Sequence, residues 1–82
     1  MWSLRRLGDL THPGERPLKG WSFRVIGYDK NGKSIEGCFD DCAYMSIALH
    51  IRMLMLNQDT KYPAGATSVR IFDVGGNDVG PI

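Results

Sequence analysis

The side chains in this chain that could hold a metal or attack a substrate are few. Cys38 and Cys42 stand three residues apart in "CFDDC", with Asp40 and Asp41 between them. A structural zinc needs four ligands of this kind, and the only nitrogen donors to add are His12 and His50. The pattern therefore favours two structural cysteines over a metal knuckle. His50 has no cysteine, serine or aspartate at a spacing that makes a triad, so it reads as a solvated histidine and not a base. The aspartates Asp29, Asp40, Asp41, Asp59, Asp73 and Asp78 fall at turns and element ends, where capping and turn chemistry account for them. "DVGGND" lacks the Gly-Lys-Ser/Thr and the following helix of a phosphate loop, and reads as a hairpin turn. No catalytic residues, cofactor or metal are expected, and the protein reads as a non-enzyme.

A second kind of chemistry is ionic. Residues 1–33 carry seven basic side chains (Arg5, Arg6, Arg16, Lys19, Arg24, Lys30 and Lys33) against three acids, a balance of +4. Residues 34–82 carry three against six, a balance of −3, so the whole chain is +1. A dedicated nucleic-acid binder is strongly basic and a nucleic-acid mimic strongly acidic, and this chain is neither. The seven basic residues, interleaved with Trp2, Trp21, Phe23 and Tyr28, still make a nucleic-acid surface the alternative reading.

These groups must be positioned by a small scaffold. Eighty-two residues make one domain, and 43% hydrophobic with 23% charged residues is ordinary for a globular protein. No apolar run reaches the ~20 residues of a membrane span. The opening "MWSLRRLGDLTHPGERP" has arginines but no apolar stretch of a secretory signal, and two cysteines are too few for a disulfide framework. Reduced thiols in a cytoplasm are the expectation.

Residues 1–19 read as an N-terminal arm, with Trp2, Leu4, Leu7 and Leu10 as apolar anchors and a Pro/Gly-rich second half. Residues 20–80 read as a single ββαβ domain. "WSFRVIGYD" alternates Trp21, Phe23 and Val25 against Ser22, Arg24, Ile26 and Tyr28. "DKNGK" supplies a turn, since Asn31-Gly32 tolerates positive φ. "KSIEGCF" resumes the alternation, with Ile35, Gly37 and Phe39 opposite Ser34, Glu36 and Cys38. Gly27 and Gly37 mark bulges or close approaches. Asp40 and Asp41 then read as the start of a helix that runs to about Asn57 and ends before Pro63 and Gly65. "TSVRIFDV" is a third strand, and Val79 adds a short fourth. The expected fold is α+β: a two-layer sandwich of an antiparallel three- to four-stranded sheet in order 2-1-3, with a right-handed crossover and one long helix across one face.

The helix carries the functional reading. At about 100° per residue, Tyr44, Ile47, Ala48, Ile51, Leu54 and Met55 fall within about 60° of Ile51 and predict a core face. Met45, Leu49, Met53 and Leu56 form a second apolar stripe, with Arg52 at its edge. Ser46, His50 and Asn57 leave only a narrow polar seam. A one-sheet sandwich buries one side of its helix, so the second stripe needs a cover. The N-terminal arm, a second copy of the chain and a foreign protein are the three candidates. Methionine suits recognition surfaces because it adapts its shape.

The layout "WSFRVIGYDKNGKSIEGCFDD…YPAGATSVRIFDV" resembles that of small phage-encoded inhibitors. Some anti-CRISPR proteins share this hairpin–helix–strand plan. So does the early inhibitor of bacterial RNA polymerase made by T7-type phages, with a comparable Pro-Ala-Gly approach to its last strand, here Pro63, Ala64 and Gly65. The resemblance covers residues 20–75 in order of elements. It implies a viral protein that binds and inhibits a bacterial multisubunit complex such as a CRISPR effector or RNA polymerase. Met45, Leu49, Met53 and Leu56 are then the expected anchors, with His50 and Arg52 at the rim. A homodimer through the helix, as an accessory subunit, is a further alternative.

Overall fold

The computed structural model describes residues 14–80. Strand β1 (Phe23–Tyr28) and strand β2 (Ser34–Cys42) form a hairpin, helix α1 (Met45–Leu56) follows, and strand β3 (Ser68–Phe72) closes the order. β1 is central and antiparallel to both neighbours, giving the order β2-β1-β3 that the element sequence predicts. A small α+β fold results, with α1 packed on one face of the sheet. The expected fourth strand is reduced to an isolated bridge between Phe72 and Asp78, with the Val79 N–H donating to the Ile71 carbonyl at 2.8 Å.

Two loops are built on one plan. In Asp29–Lys33 the aspartate carboxylate accepts the Asn31 and Lys33 amides at 2.8 and 3.0 Å, while its carbonyl accepts the Gly32 amide at 3.0 Å. In Asp73–Asn77 the carboxylate accepts the Gly75 and Asn77 amides, both at 2.9 Å, and the carbonyl accepts Gly76 at 2.9 Å. The fourth residue is left-handed in each, Gly32 at φ 81° and Gly76 at φ 80°, which glycine adopts without steric cost. Asn31 itself does not take positive φ; among non-glycines of the described region only Gln58 does.

The helix starts later than the sequence suggests. Asp40, Asp41 and Cys42 extend β2, so Cys42 is not in a first helical turn and neither aspartate caps the helix. Both carboxylates have tertiary partners instead. Asp40 accepts the Tyr62 hydroxyl at 2.7 Å, and Asp41 pairs with Arg24. The residue that precedes α1 is Tyr44, in extended conformation and with no side-chain cap bond. At the other end Gln58, at φ 59°, donates to the Met55 carbonyl, and the Asp59 amide reaches back to Leu54 at 3.0 Å. This left-handed closure, with glutamine where glycine is usual, ends the helix at Leu56, seven residues before Pro63.

Strict alternation also fails across β2. The pairing slips between Ile26, opposite Phe39, and Tyr28, opposite Ser34. Gly37 sits within the slip at φ 79°. Ile35 therefore packs on the helix side with Cys38, whereas Phe39 points to the other face with Ile26 and Phe72. The core under α1 is built from Val25, Cys38, Cys42, Ala48, Ile51, Met55, Ala66 and Ile71.

The second face of the sheet is buried as well. Ile26, Phe39 and Phe72 cluster there with Tyr28. Arg24 is 2% exposed, and its guanidinium lies 4.8 Å from the Phe39 ring centroid. It grips Asp41 with two bonds, Nε to Oδ1 at 2.7 Å and Nη2 to Oδ2 at 3.0 Å. Its Nη1 donates to the Gly14 carbonyl at 3.2 Å, and the Leu18 amide donates to Asp41 at 3.2 Å. The described end of the leading segment is thus tied to this face of the sheet. Residues Met1 to Pro13, with the Trp2, Leu4, Leu7 and Leu10 anchors, lie outside the described residues. Among those described, no buried side-chain nitrogen or oxygen lacks a partner, which is what makes a buried ion pair tolerable.

Candidate docking face of the helix

The groups capable of chemistry are dispersed or shielded. Cys38 and Cys42 are both free thiols inside the core. Burial raises both thiol pKa values, which disfavours the thiolate a nucleophile needs. Cys42 also donates to the Tyr44 carbonyl at 3.5 Å. His50 is exposed on α1, and His12 lies outside the described residues. Among the described residues no three His, Cys, Asp or Glu side chains gather as a metal site. The Tyr62 phenol is held protonated by burial first and then by its bond to Asp40, so it serves as a donor that fixes the loop after α1 to β2.

The basic set loses its central member. Arg24 is buried and neutralised by Asp41, and so is no part of a basic surface. Arg16, Lys19, Lys30 and Lys33 are exposed, the last two on the β1–β2 loop; Arg5 and Arg6 lie outside the described residues. Of the aromatics expected beside them, Phe23 packs against the helix-side core and Tyr28 joins the opposite cluster. Trp21 is exposed, and Trp2 lies outside the described residues.

The helix places its apolar side chains on two sides. Ala48, Ile51 and Met55 are buried against the sheet, with Met45 partly buried beside them. Met45 therefore belongs to the core edge and not to the outer stripe. Leu49, Met53 and Leu56 remain 36, 47 and 40% exposed. They follow one another at i, i+4 and i+7, the spacing of anchors along one side of a helix. Arg52 is half-buried at the margin and His50 exposed on the flank.

Two residues placed in the core by periodicity are also outside it. Ile47 is 44% and Tyr44 66% exposed. Tyr44 precedes the helix with extended backbone, so the helical wheel does not apply to it. The buried face is centred between Ala48 and Met55, which turns Ile47 to the edge. Trp21 adds a third exposed apolar group at the corner where β2 ends, because the Ser22 amide bonds the Cys42 carbonyl at 3.1 Å. Nothing in the sequence marks these three, since each sits where an alternating or helical pattern predicts burial.

No family model, curated protein or solved structure matches this chain. Among the described residues no helix is long and apolar enough to cross a membrane.

Proposed function

We propose that this protein is a non-catalytic binding module that lays the outer side of α1 into an apolar groove on another protein. The observation that supports this is the exposure of Leu49, Met53 and Leu56 along one line of a helix whose other side is already packed. Completing the burial of a leucine or methionine side chain is favourable by up to about 1.5–3 kcal/mol, so the stripe favours a cover. α1 carries no carboxylate, and its ionisable side chains are His50 and Arg52. A groove with an acidic rim complements it. The layout resemblance makes a bacterial multisubunit complex, a CRISPR effector or RNA polymerase, the partner class to test first.

The test is Leu49→Glu combined with Met53→Glu, assayed against purified complexes of that class. The expected variant keeps the circular-dichroism spectrum of the parent and loses binding, while Lys30→Glu on the β1–β2 loop, outside α1, binds normally. Undiminished binding by the double variant, or its collapse to an unfolded chain, overturns the reading. Sedimentation of the parent protein tests a second copy as the occupant. Oligonucleotide titration at two salt concentrations tests the basic surface that remains without Arg24.

A further inference from the structure

The chain holds three asparagines, and Asn31 is the one followed by glycine; Asn57 precedes Gln58 and Asn77 precedes Asp78. An asparagine side-chain amide can be attacked by the backbone nitrogen of the next residue, closing a five-membered imide. A side chain on that next residue crowds the nitrogen, and glycine does not. Asn31 is exposed, and a β-carbon built on Gly32 would meet no atom within 4 Å, so nothing beyond the chain neighbours crowds that side of Gly32.

The loop conformation works against the reaction. The attacking nitrogen of Gly32 donates its hydrogen to the Asp29 carbonyl at 3.0 Å. The amides on either side, Asn31 and Lys33, are both held by one carboxylate oxygen of Asp29, at 2.8 and 3.0 Å. For the Gly32 nitrogen to reach the Asn31 side-chain carbon, the peptide between them must rotate, and these bonds must open.

We propose that Asn31–Gly32 is a spontaneous deamidation site whose rate is set by the grip of Asp29 on the loop. The Gly32 nitrogen gives its proton to a solvent base and forms a bond to Cγ of Asn31. The Cγ–Nδ2 bond breaks, and the amide leaves as ammonia after taking a proton from water. A water molecule then opens the imide at either carbonyl, giving aspartate or isoaspartate, with no oxidant or reductant involved. Either product adds a carboxylate to the same loop, two residues along the chain from Asp29. Isoaspartate also inserts an extra main-chain methylene into the loop between Asp29 and Lys33. The Asp29 amide no longer meets the Lys33 carbonyl at its present 2.8 Å with the same geometry.

The experiment follows amide-to-acid conversion at each asparagine by peptide mapping and mass spectrometry, during incubation at mildly alkaline pH. Three samples are compared: the folded chain, the chain in urea, and folded Asp29→Ala. In urea Asn31 is expected to convert well ahead of Asn57 and Asn77. In the folded chain it is expected to convert about tenfold more slowly, the effect of one to two loop hydrogen bonds. Asp29→Ala is expected to recover most of that factor. The proposal is overturned if Asn57 or Asn77 keeps pace with Asn31 in urea. It is equally overturned if folding leaves the Asn31 rate unchanged, or if folded Asp29→Ala converts no faster than the parent. Should Asp29→Ala fail to fold, the comparison of folded and urea samples still decides whether the loop protects the site.

Discussion

Cys38 fills the space that a side chain on Gly27 would need: its sulfur lies 2.5 Å from the ideal β-carbon position, with the Ala66 β-carbon at 3.3 Å. The glycine is required by contact and not by backbone conformation. Gly27→Ala is therefore expected to cost about 1–3 kcal/mol, the range for overpacking a filled core. Adding Cys38→Ala removes the obstructing sulfur and should restore part of the loss. Urea denaturation of the two single variants and the double measures this as a coupling of at least about 0.5 kcal/mol. Additive effects would mean that the contact is not the cause.

The Arg24–Asp41 pair predicts a different kind of non-additivity. Asp41→Asn leaves a buried guanidinium without its counter-charge, at an expected cost of about 3–5 kcal/mol. That is a large share of the roughly 5–15 kcal/mol available to a domain. Replacing both members with apolar residues, Arg24→Met with Asp41→Leu, is expected to lie closer to the parent than either single change. Denaturation midpoints of the three variants test this.

Stability is expected to fall on the alkaline side. Burial raises the thiols of Cys38 and Cys42 above their ordinary 9.0. Burial and the Asp40 bond raise the phenol of Tyr62 above 10.0. A raised pKa means that the folded chain keeps protons the unfolded chain releases, so the contribution is complete below the unfolded values and shrinks as pH climbs past them. Urea midpoints should hold near pH 8 and decline from about pH 9 upward. Tyr62→Phe should make that decline shallower, while lowering neutral-pH stability by about 1.5–3 kcal/mol through the lost bond to a carboxylate. A midpoint that rises through this range contradicts the assignment.

Truncations along α1 should separate its two sides. Ile51→Ala and Met55→Ala open the core and are expected to cost about 2–5 kcal/mol each. Leu49→Ala and Met53→Ala, on exposed positions, should stay within about 0.5–1 kcal/mol of the parent. Ile47→Ser belongs with the second group, against its helical periodicity. Thermal melts of the five variants give the ranking.

The hairpin, the strand order and the single helix were legible because their signals are local. Asp29 to Lys33 announces its turn, and two β-rich runs flanking a long apolar stretch leave few topologies. The misread positions depend on contacts distant in the chain. Asp40 and Asp41 have the composition of a helix start, but Tyr62 and Arg24 claim their carboxylates and keep the backbone extended. Arg24 reads as a solvent-facing member of an alternating strand, and only Asp41, Phe39 and Gly14 together make its burial tolerable. The bulge at Gly37 turns Ile35 and Phe39 to opposite faces, which no strict two-residue period anticipates. For the candidate docking face, the spacing of Leu49, Met53 and Leu56 was readable. The burial of Met45 and the exposure of Tyr44 were not, because both follow from where the helix actually begins.

α1 is poorly equipped to exist alone. It has 12 residues, no side-chain bond at its N-terminus, no acid in its first turn and no base in its last. Helices of this length are marginal in water even with good capping. A synthetic peptide of Met45 to Leu56 should be largely random in solution, and under the proposed docking it should compete weakly, since it must surrender its conformational freedom on binding. The sheet, the glutamine-closed end and the core beneath Ile51 therefore act as a mould. They hold Leu49, Met53 and Leu56 in register on the free side of the helix, so a mimic designed to test the proposed docking has to copy that rigidity as well as the residues.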